Sequence, residues 1–305
     1  PDRHMRLRKT LARDVRIEGV GLHTGASVRM RLAGATPGSG VVFVRTDAGG
    51  IEIPATLDHV GPGSYATVLE GGGVTVGTVE HVMAALYALG VDDVRLEIDG
   101  PEVPVLDGSA LPFVEAIAAA GTVESAVPRL YITLVRPIAV SLEDGEKRIS
   151  IHPCREYRVT YAIEFAHPEL GYQELTASLW RPGEFGEKLA PARTFTFEGE
   201  VEALRRAGLA RGGSLANAVV FGSRGVLNPE GFRFPDEPVR HKMLDLTGDL
   251  ALLGRPVRGH VVAYRAGHDL HSRLVRRILE RTDCWHLAPW NGDAADAAVP
   301  ERGGA

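Results

Sequence analysis

In residues 28–32, Val28, Met30 and Leu32 alternate with Arg29 and Arg31, so apolar and basic side chains fall on opposite faces, the period of a half-buried strand. Residues 41–44, 51–53 and 94–98 read as further short strands, separated by Gly- and Pro-rich breakers at 34–40, 49–50, 61–63 and 71–73. The period becomes helical over 79–89, ending at Gly90, and again over about 110–121, with Pro112 tolerated in the first turn. Thr78 is the expected N-cap of the first of these helices. Past a boundary near 123–128, strands are expected at 131–140, 148–152 and 157–165. A long helix over about 239–253 is opened by Asp236, Glu237 and Pro238 and closed by Gly254. A strand at 257–264 and a last helix near 271–281 follow. The Ala/Gly-rich residues 291–305 are expected to fray.

The two halves share this pattern. Val79, His81, Met83 and Leu86 fall in register with Val239, His241, Met243 and Leu246, each helix ends at a Leu-Gly pair, and a strand follows each. Chance could supply such matches, but the common strand–helix order favours a duplicated α+β domain. Duplication would set His81 and His241 at related positions, where a site at the interface could use both. With 305 residues, 44% of them apolar, there is material for two cores. The expected division is 1–126, 127–290 and a tail, 291–305.

Composition narrows the classes. A net charge of −5 argues against a nucleic-acid partner, although a local basic patch could still hold a small phosphorylated ligand. Cys154 and Cys284 sit in no metal-like or redox-like spacing, so a reducing cytosol fits better than a disulfide framework. The basic N-terminal stretch lacks the apolar run of a secretory signal, and nothing approaches the roughly 18 apolar residues of a spanning helix. A cytoplasmic protein not integral to a membrane is expected. No surface stripe demands a partner, so it is read as a monomer.

Candidate chemistry sits on the two matched helices. His241, Asp245 and Asp249 recur at four-residue spacing and climb one helical face, each about 40° from the last. Met243, Leu246, Leu250 and Leu253 occupy roughly the opposite side. A His and an Asp at this spacing can converge on one cation, which suits zinc. The signal alone is weak: with 11 His and 39 acids in 305 residues, about one or two such pairs arise by chance. A second pair, His152 and Glu156, crosses a proline in a strand-like context and reads as a decoy. Surface ion pairing is the plainer account of His241 and Asp245.

Glu80 and His81 change the balance, because a metal that acidifies water beside a carboxylate that takes its proton is what metal-assisted hydrolysis needs. The plainer alternatives are a satisfied helix-start histidine and a carboxylate stabilised by the helix dipole. His268 follows a strand end on an expected turn; beside an acid such as Asp249 its charged form is favoured. Thr194 and Phe195 offer a hydroxyl and an aromatic face, and Lys242 could hold a phosphate. Each of these also fits an ordinary loop or a solvated surface.

Taken together, these pieces resemble the bacterial UDP-3-O-acyl-N-acetylglucosamine deacetylases, zinc enzymes of lipid A synthesis. The resemblance spans about residues 8–287 and is carried by seven short motifs in order: the stretch from Gly19 to Gly25, Thr78 to His81, Pro101 to Pro104 with Asp107 to Ser109, Ala192 to Phe195, Gly212 to Ser214, Arg240 to Asp245 with Gly248 and Asp249, and Gly267 with His268. It implies two similar domains, each a β-sheet packed on helices in layers, with the active site in the cleft between them. It implies one catalytic zinc, with ferrous iron also fitting the ligand set, on His81, His241 and Asp245. Glu80 is then the general base, His268 the cationic acid oriented by Asp249, and Thr194 an oxyanion donor. Lys242 would meet the substrate's phosphates and Phe195 the sugar, with Phe165 in a uridine-contacting segment. An acyl-binding insert is implied at about 196–218, where Val201, Leu204, Gly213, Ser214 and Ala218 would line a narrow apolar passage. Tyr65 stands where some members carry a cysteine, which removes the thiol that an additional inhibitory metal site would use.

The implied substrate is UDP-3-O-[(R)-3-hydroxyacyl]-N-acetylglucosamine, losing acetate. Two rivals remain: a catalytically inactive UDP-sugar-binding protein of the same fold, and a metal-dependent hydrolase of another bond, such as a phosphoester. The intact Glu80, His81, His241, Asp245 and His268 speak against the first, and a single three-ligand site against the second.

Overall fold

Alternation in 28–32 becomes a strand whose Val28, Met30 and Leu32 are buried, with Arg29 exposed and Arg31 half-buried. The computed structural model describes residues 5–290 except 64, 143–144 and 182. The expected frayed tail, 291–305, lies outside the described residues. In chain order the first part comprises β1 (Leu7–Leu11), β2 (Val15–Val20), β3 (Ser27–Gly34), β4 (Val41–Arg45), β5 (Ile51–Pro54), β6 (Val68–Gly71), β7 (Val74–Gly77), α1 (Glu80–Leu89), β8 (Val94–Ile98), α2 (Leu111–Ala120) and β9 (Thr122–Pro128). The second comprises β10 (Leu130–Leu134), β11 (Ile138–Leu142), β12 (Lys147–His152), β13 (Tyr157–Glu164), β14 (Tyr172–Ser178), α3 (Glu184–Lys188), β15 (Phe195–Phe197), α4 (Glu198–Arg206), β16 (Val219–Gly222), β17 (Gly225–Val226), α5 (Glu237–Leu250), β18 (Val257–Tyr264), α6 (His268–Glu280) and β19 (Trp285–Pro289).

The fold is mixed α and β, and its two main sheets repeat one topology. The first runs β2-β3-β8-β4-β5, antiparallel except for the parallel pair β8–β4. The second contains the path β11-β12-β18-β13-β14, antiparallel except for the parallel pair β18–β13. In both, four strands precede a helix, the fifth strand inserts at the sheet centre, and a second helix follows. Helices α1 and α5 therefore occupy equivalent places, and they pack against each other. At Gly248 the two backbones come close: a Cβ there would lie 2.0 Å from the Glu80 carbonyl oxygen. Among the described residues every strand pair lies within 7–128 or within 130–289, while the apolar core is one continuous cluster.

Several expectations need correction. Residues 123–128 are strand β9, paired with β1; most of its residues are exposed, so no alternation marked it. The expected strand 131–140 is two strands, β10 and β11, broken around Val135 to Pro137, where Pro137 has no N–H to give a ladder. Helix α6 begins at His268, not near 271. Thr78 is not an N-cap: it has a left-handed φ of 54° and its hydroxyl donates to Glu102. No described helix is long and apolar enough to cross a membrane.

Candidate active site

Helix α1 contributes Glu80 and His81 from its first turn, and α5 contributes His241, Lys242, Asp245 and Asp249, all buried except the partly exposed Lys242. The first turn of α6 adds His268. The crossing of α1 over α5 brings the imidazoles of His81 and His241 edge to face, with ring centroids 5.0 Å apart. One ligand atom each from His81, His241 and Asp245 lies within 4.8 Å of the others. His241 Nδ1 donates to the Ala192 carbonyl at 2.9 Å, which leaves Nε2 as a lone pair facing inward. That Nε2 lies 3.2 Å from Asp245 Oδ1, and His81 Nε2 lies 3.7 Å from the same oxygen.

Asp245 Oδ1 is buried and has no hydrogen-bond partner. Acceptors facing one another in a buried site repel, and burying an unpaired carboxylate oxygen is costly. A divalent cation resolves both problems, and the nitrogen–nitrogen–oxygen set is a zinc-type donor set. The other carboxylate oxygen, Oδ2, is held by Lys242 Nζ at 2.9 Å, which fixes the orientation of the group. Two neighbouring clusters, Asp249 with His268 and His271, and Glu80 with Asp245 and His268, are also close enough to hold a cation. The first of these is satisfied internally by hydrogen bonds.

His268 Nδ1 lies 2.7 Å from Asp249 Oδ2, and its Nε2 lies 3.8 Å from Glu80 Oε1. Burial works against an imidazolium here, but Asp249, helped by Glu80 and Asp245, pushes its pKa up to about 9. Burial likewise opposes the Asp249 carboxylate, yet His268 and His271 hold it well below the usual range. For Glu80, burial raises the pKa while His268 and His81 pull it back. A buried carboxylate with a raised pKa facing a protonated histidine is a separated base and acid.

This centre opens into a cavity of about 190 Å³ also lined by Thr194, Phe195 and Lys242. Leu22, His23, Tyr65, Thr194 and Phe195 are shared with a second, mainly apolar cavity of about 570 Å³. Val201, Leu204, Gly213, Ser214 and Ala218, expected to line a passage, all line this second cavity. Its wall is built mainly by β15, α4, the following loop to Ala218 and Val220 of β16, so the stretch expected at 196–218 begins within β15 and ends before β16. Phe165 lines neither cavity; its ring packs edge-on against Phe195 at 5.7 Å. The decoy pair separates, with His152 bonding Ser150 and Glu156 bonding Arg158.

Sequence reasoning missed several residues. Glu102 accepts from the backbone N–H groups of His23 and Thr24 and from the hydroxyls of Thr24 and Thr78, pinning the loop that carries Leu22 and His23 into the site. Gly21 allows this, since a Cβ there would lie 2.3 Å from the Glu102 carboxylate. Both residues stood in recognised motifs, but nothing in their spacing named a role. Thr67 gives its hydroxyl to Asp249 and its backbone N–H to Glu80, and no sequence pattern marked it.

Comparison with known proteins agrees with this geometry. Residues 8–280 match the family model described as LpxC, UDP-3-O-acyl N-acetylglycosamine deacetylase. Among curated proteins, the UDP-3-O-acyl-N-acetylglucosamine deacetylase of Myxococcus xanthus is 47% identical over 92% of this chain and 89% of its own length. The protein of that name from Syntrophotalea carbinolica is 48% identical over 94% and 92%. That from Solibacter usitatus is 50% identical over 90% and 92%. A match this broad, to a family model and to relatives covered over most of their length, means that the chain belongs to the UDP-3-O-acyl-N-acetylglucosamine deacetylase family.

Proposed function

We propose that this protein is a metal-dependent N-deacetylase that hydrolyses the acetamide of UDP-3-O-[(R)-3-hydroxyacyl]-N-acetylglucosamine, releasing acetate in lipid A biosynthesis. The observation that carries the reading is the partnerless Asp245 Oδ1, faced by two histidine nitrogens beside Glu80 and adjoining an apolar passage. His81, His241 and Asp245 would hold the cation, with zinc favoured by the donor set. When bound, it supplies a Lewis acid that acidifies water and polarises a carbonyl.

The chain's own groups divide the remaining work. Glu80 takes the proton of the attacking water. Thr194 donates its hydroxyl to the developing oxyanion, and the His268 imidazolium adds positive charge and a proton for the leaving amine. Asp249 keeps His268 charged and oriented. Lys242 meets the phosphates, Phe195 packs on the sugar, and the larger cavity takes the acyl chain. We further read the repeated sheet topology as two similar domains, divided near 126–127, with the site in the cleft between α1 and α5. The reading carries a cytosolic setting with it, in keeping with the free Cys154 and Cys284, and a monomer.

The test is acetate release from the UDP-3-O-acyl substrate, with metal content measured on the same sample. Release abolished by a chelator, with one zinc per chain, is the expected result. Bound zinc without release rejects the substrate. Neither zinc nor release leaves only a UDP-sugar-binding protein.

A further inference from the structure

The proposed chemistry leaves one buried ionisable side chain beside the site without a task. His271 lies one turn beyond His268 on α6, is completely buried, and places Nδ1 2.7 Å from Asp249 Oδ2. Asp249 thus takes two ring N–H groups on Oδ2 and the Thr67 hydroxyl on Oδ1. A carboxylate with three donors in fixed directions cannot rotate freely, and its remaining freedom is what would let the His268 ring swing. The far side of the His271 ring is seated as well: Nε2 lies 3.0 Å from the Tyr161 hydroxyl, whose one proton is shared between that nitrogen and the Ala266 carbonyl 2.8 Å away. Ala266 lies two residues before His268, so Tyr161 ties down the backbone that carries His268 while His271 ties down the carboxylate that holds its ring.

We propose that His271 is a positioning residue for the deacetylation, acting through Asp249 on His268 and contacting neither substrate nor metal. This rests on the reading of His268 as the site's acid. His271 donates one N–H to Asp249, and that donation, not the volume of the ring, is its contribution. An isosteric donor therefore replaces it, whereas an apolar filler does not.

The experiment compares His271→Asn, whose amide can place an N–H near the position of Nδ1, with His271→Leu, which fills space but cannot donate. His271→Leu is expected to lower kcat roughly 10–100-fold, the usual range for loss of an outer-shell partner, with KM and bound metal near wild type. His271→Asn is expected to stay within a few fold of wild type. In a His268→Ala background, His271→Leu should cost nothing more, because residues acting through one another are not additive. Equal rates for the two variants, an additive loss in the His268→Ala background, or loss of metal would each overturn the proposal. An activity-independent readout separates its failure from that of the deacetylase reading. In proton NMR of the folded chain, the His268 Nδ1–H resonance, identified by its absence in His268→Ala, should shift or broaden in His271→Leu and persist in His271→Asn. A chain without deacetylase activity that still gave this pattern would keep the coupling and reject the substrate. An unshifted resonance in His271→Leu would reject the coupling.

Discussion

At the residue scale, the proposed division of base and acid between one carboxylate and one imidazole rests on their surroundings alone. Glu80 is buried against His268, and His268 is charged because Asp249 outweighs the cost of its burial. The pH–rate profile is therefore expected to be bell-shaped, with an acidic limb from Glu80 and a basic limb near pH 9 from His268. Glu80→Gln should lose most of kcat and the acidic limb with it; an intact acidic limb would remove Glu80 as the base. His268→Ala should lower kcat far more than metal content, measured by metal analysis of the same preparation. If metal fell in step with activity, His268 would be a ligand. Among the described residues, the groups facing His268 include Asp249, Glu80, Asp245, the Thr67 hydroxyl and the ring of His271. Its raised pKa contributes stability that is full below the unfolded value near 6.5 and is lost as pH rises through about 9. The depressed Asp249 works in the other direction, contributing above the usual carboxylate range and losing its contribution as pH falls. Denaturation midpoints should accordingly peak between those limits. An Asp249→Asn variant should lose the decline toward pH 9; a decline of the same size would dissociate it from this pair.

At the element scale, the site exists because α1 crosses α5 closely enough for His81 and His241 both to face the unpartnered oxygen of Asp245. Gly248 sets that approach, since any Cβ would meet the Glu80 backbone, which cannot yield as a flexible side-chain tip can. Gly248→Ala is expected to cost about 1–3 kcal/mol, the usual cost of overpacking a core, and to weaken metal retention at the same time. Both are checked by denaturant melts with and without a chelator. Stability lost without any change in metal retention would mean that the helices re-pack elsewhere. The helices themselves were legible: their apolar faces, Pro238 and the closing Gly90 and Gly254 read correctly from the chain. So were the half-buried strands, where alternation faces a core on one side only. What escaped included the edge and short strands β1, β2, β6, β7, β14 to β17 and β19, the short helices α3 and α4, β9, whose residues face little core, and the start of α6, where His268 opens a helix without a side-chain cap. His81, His241 and Asp245 were legible as residue types on matched helices, but the resemblance was needed to join them into one cluster able to hold a cation. Thr67, Glu102 and His271 escaped because their roles consist of hydrogen bonds made across long stretches of chain, which leave no local spacing.

At the scale of the whole molecule, the duplicated topology gives two equivalent helices, but the passage beside them has no counterpart in the first half. Most of its lining comes from β15, α4, the loop after α4 and Val220 of β16, inserted between α3 and α5 in the second half, with Leu22, His23 and Tyr65 added from the first. One repeat thus contributes Glu80 and His81, the other most of the remaining centre, and the insert most of the space an acyl chain would fill. Val201 on α4 lines that space and is only half-buried, so a larger side chain there can fill the passage without disturbing the core. Each methylene that no longer fits costs about 0.8 kcal/mol of lost burial. Val201→Trp, displacing three of them, should weaken the long-acyl substrate by about 2.4 kcal/mol, or roughly sixty-fold in KM. A substrate with a shortened acyl chain should be turned over as by the wild type, because Val201 does not line the smaller cavity around His81, His241 and Asp245. Steady-state kinetics on the two substrates check this directly. A KM that rises equally for both would mean that the insert closes over the sugar and that the acyl chain leaves by another route. A KM that rises for neither would leave the larger cavity without a ligand, and the depth of the passage would then have no bearing on which substrates are used.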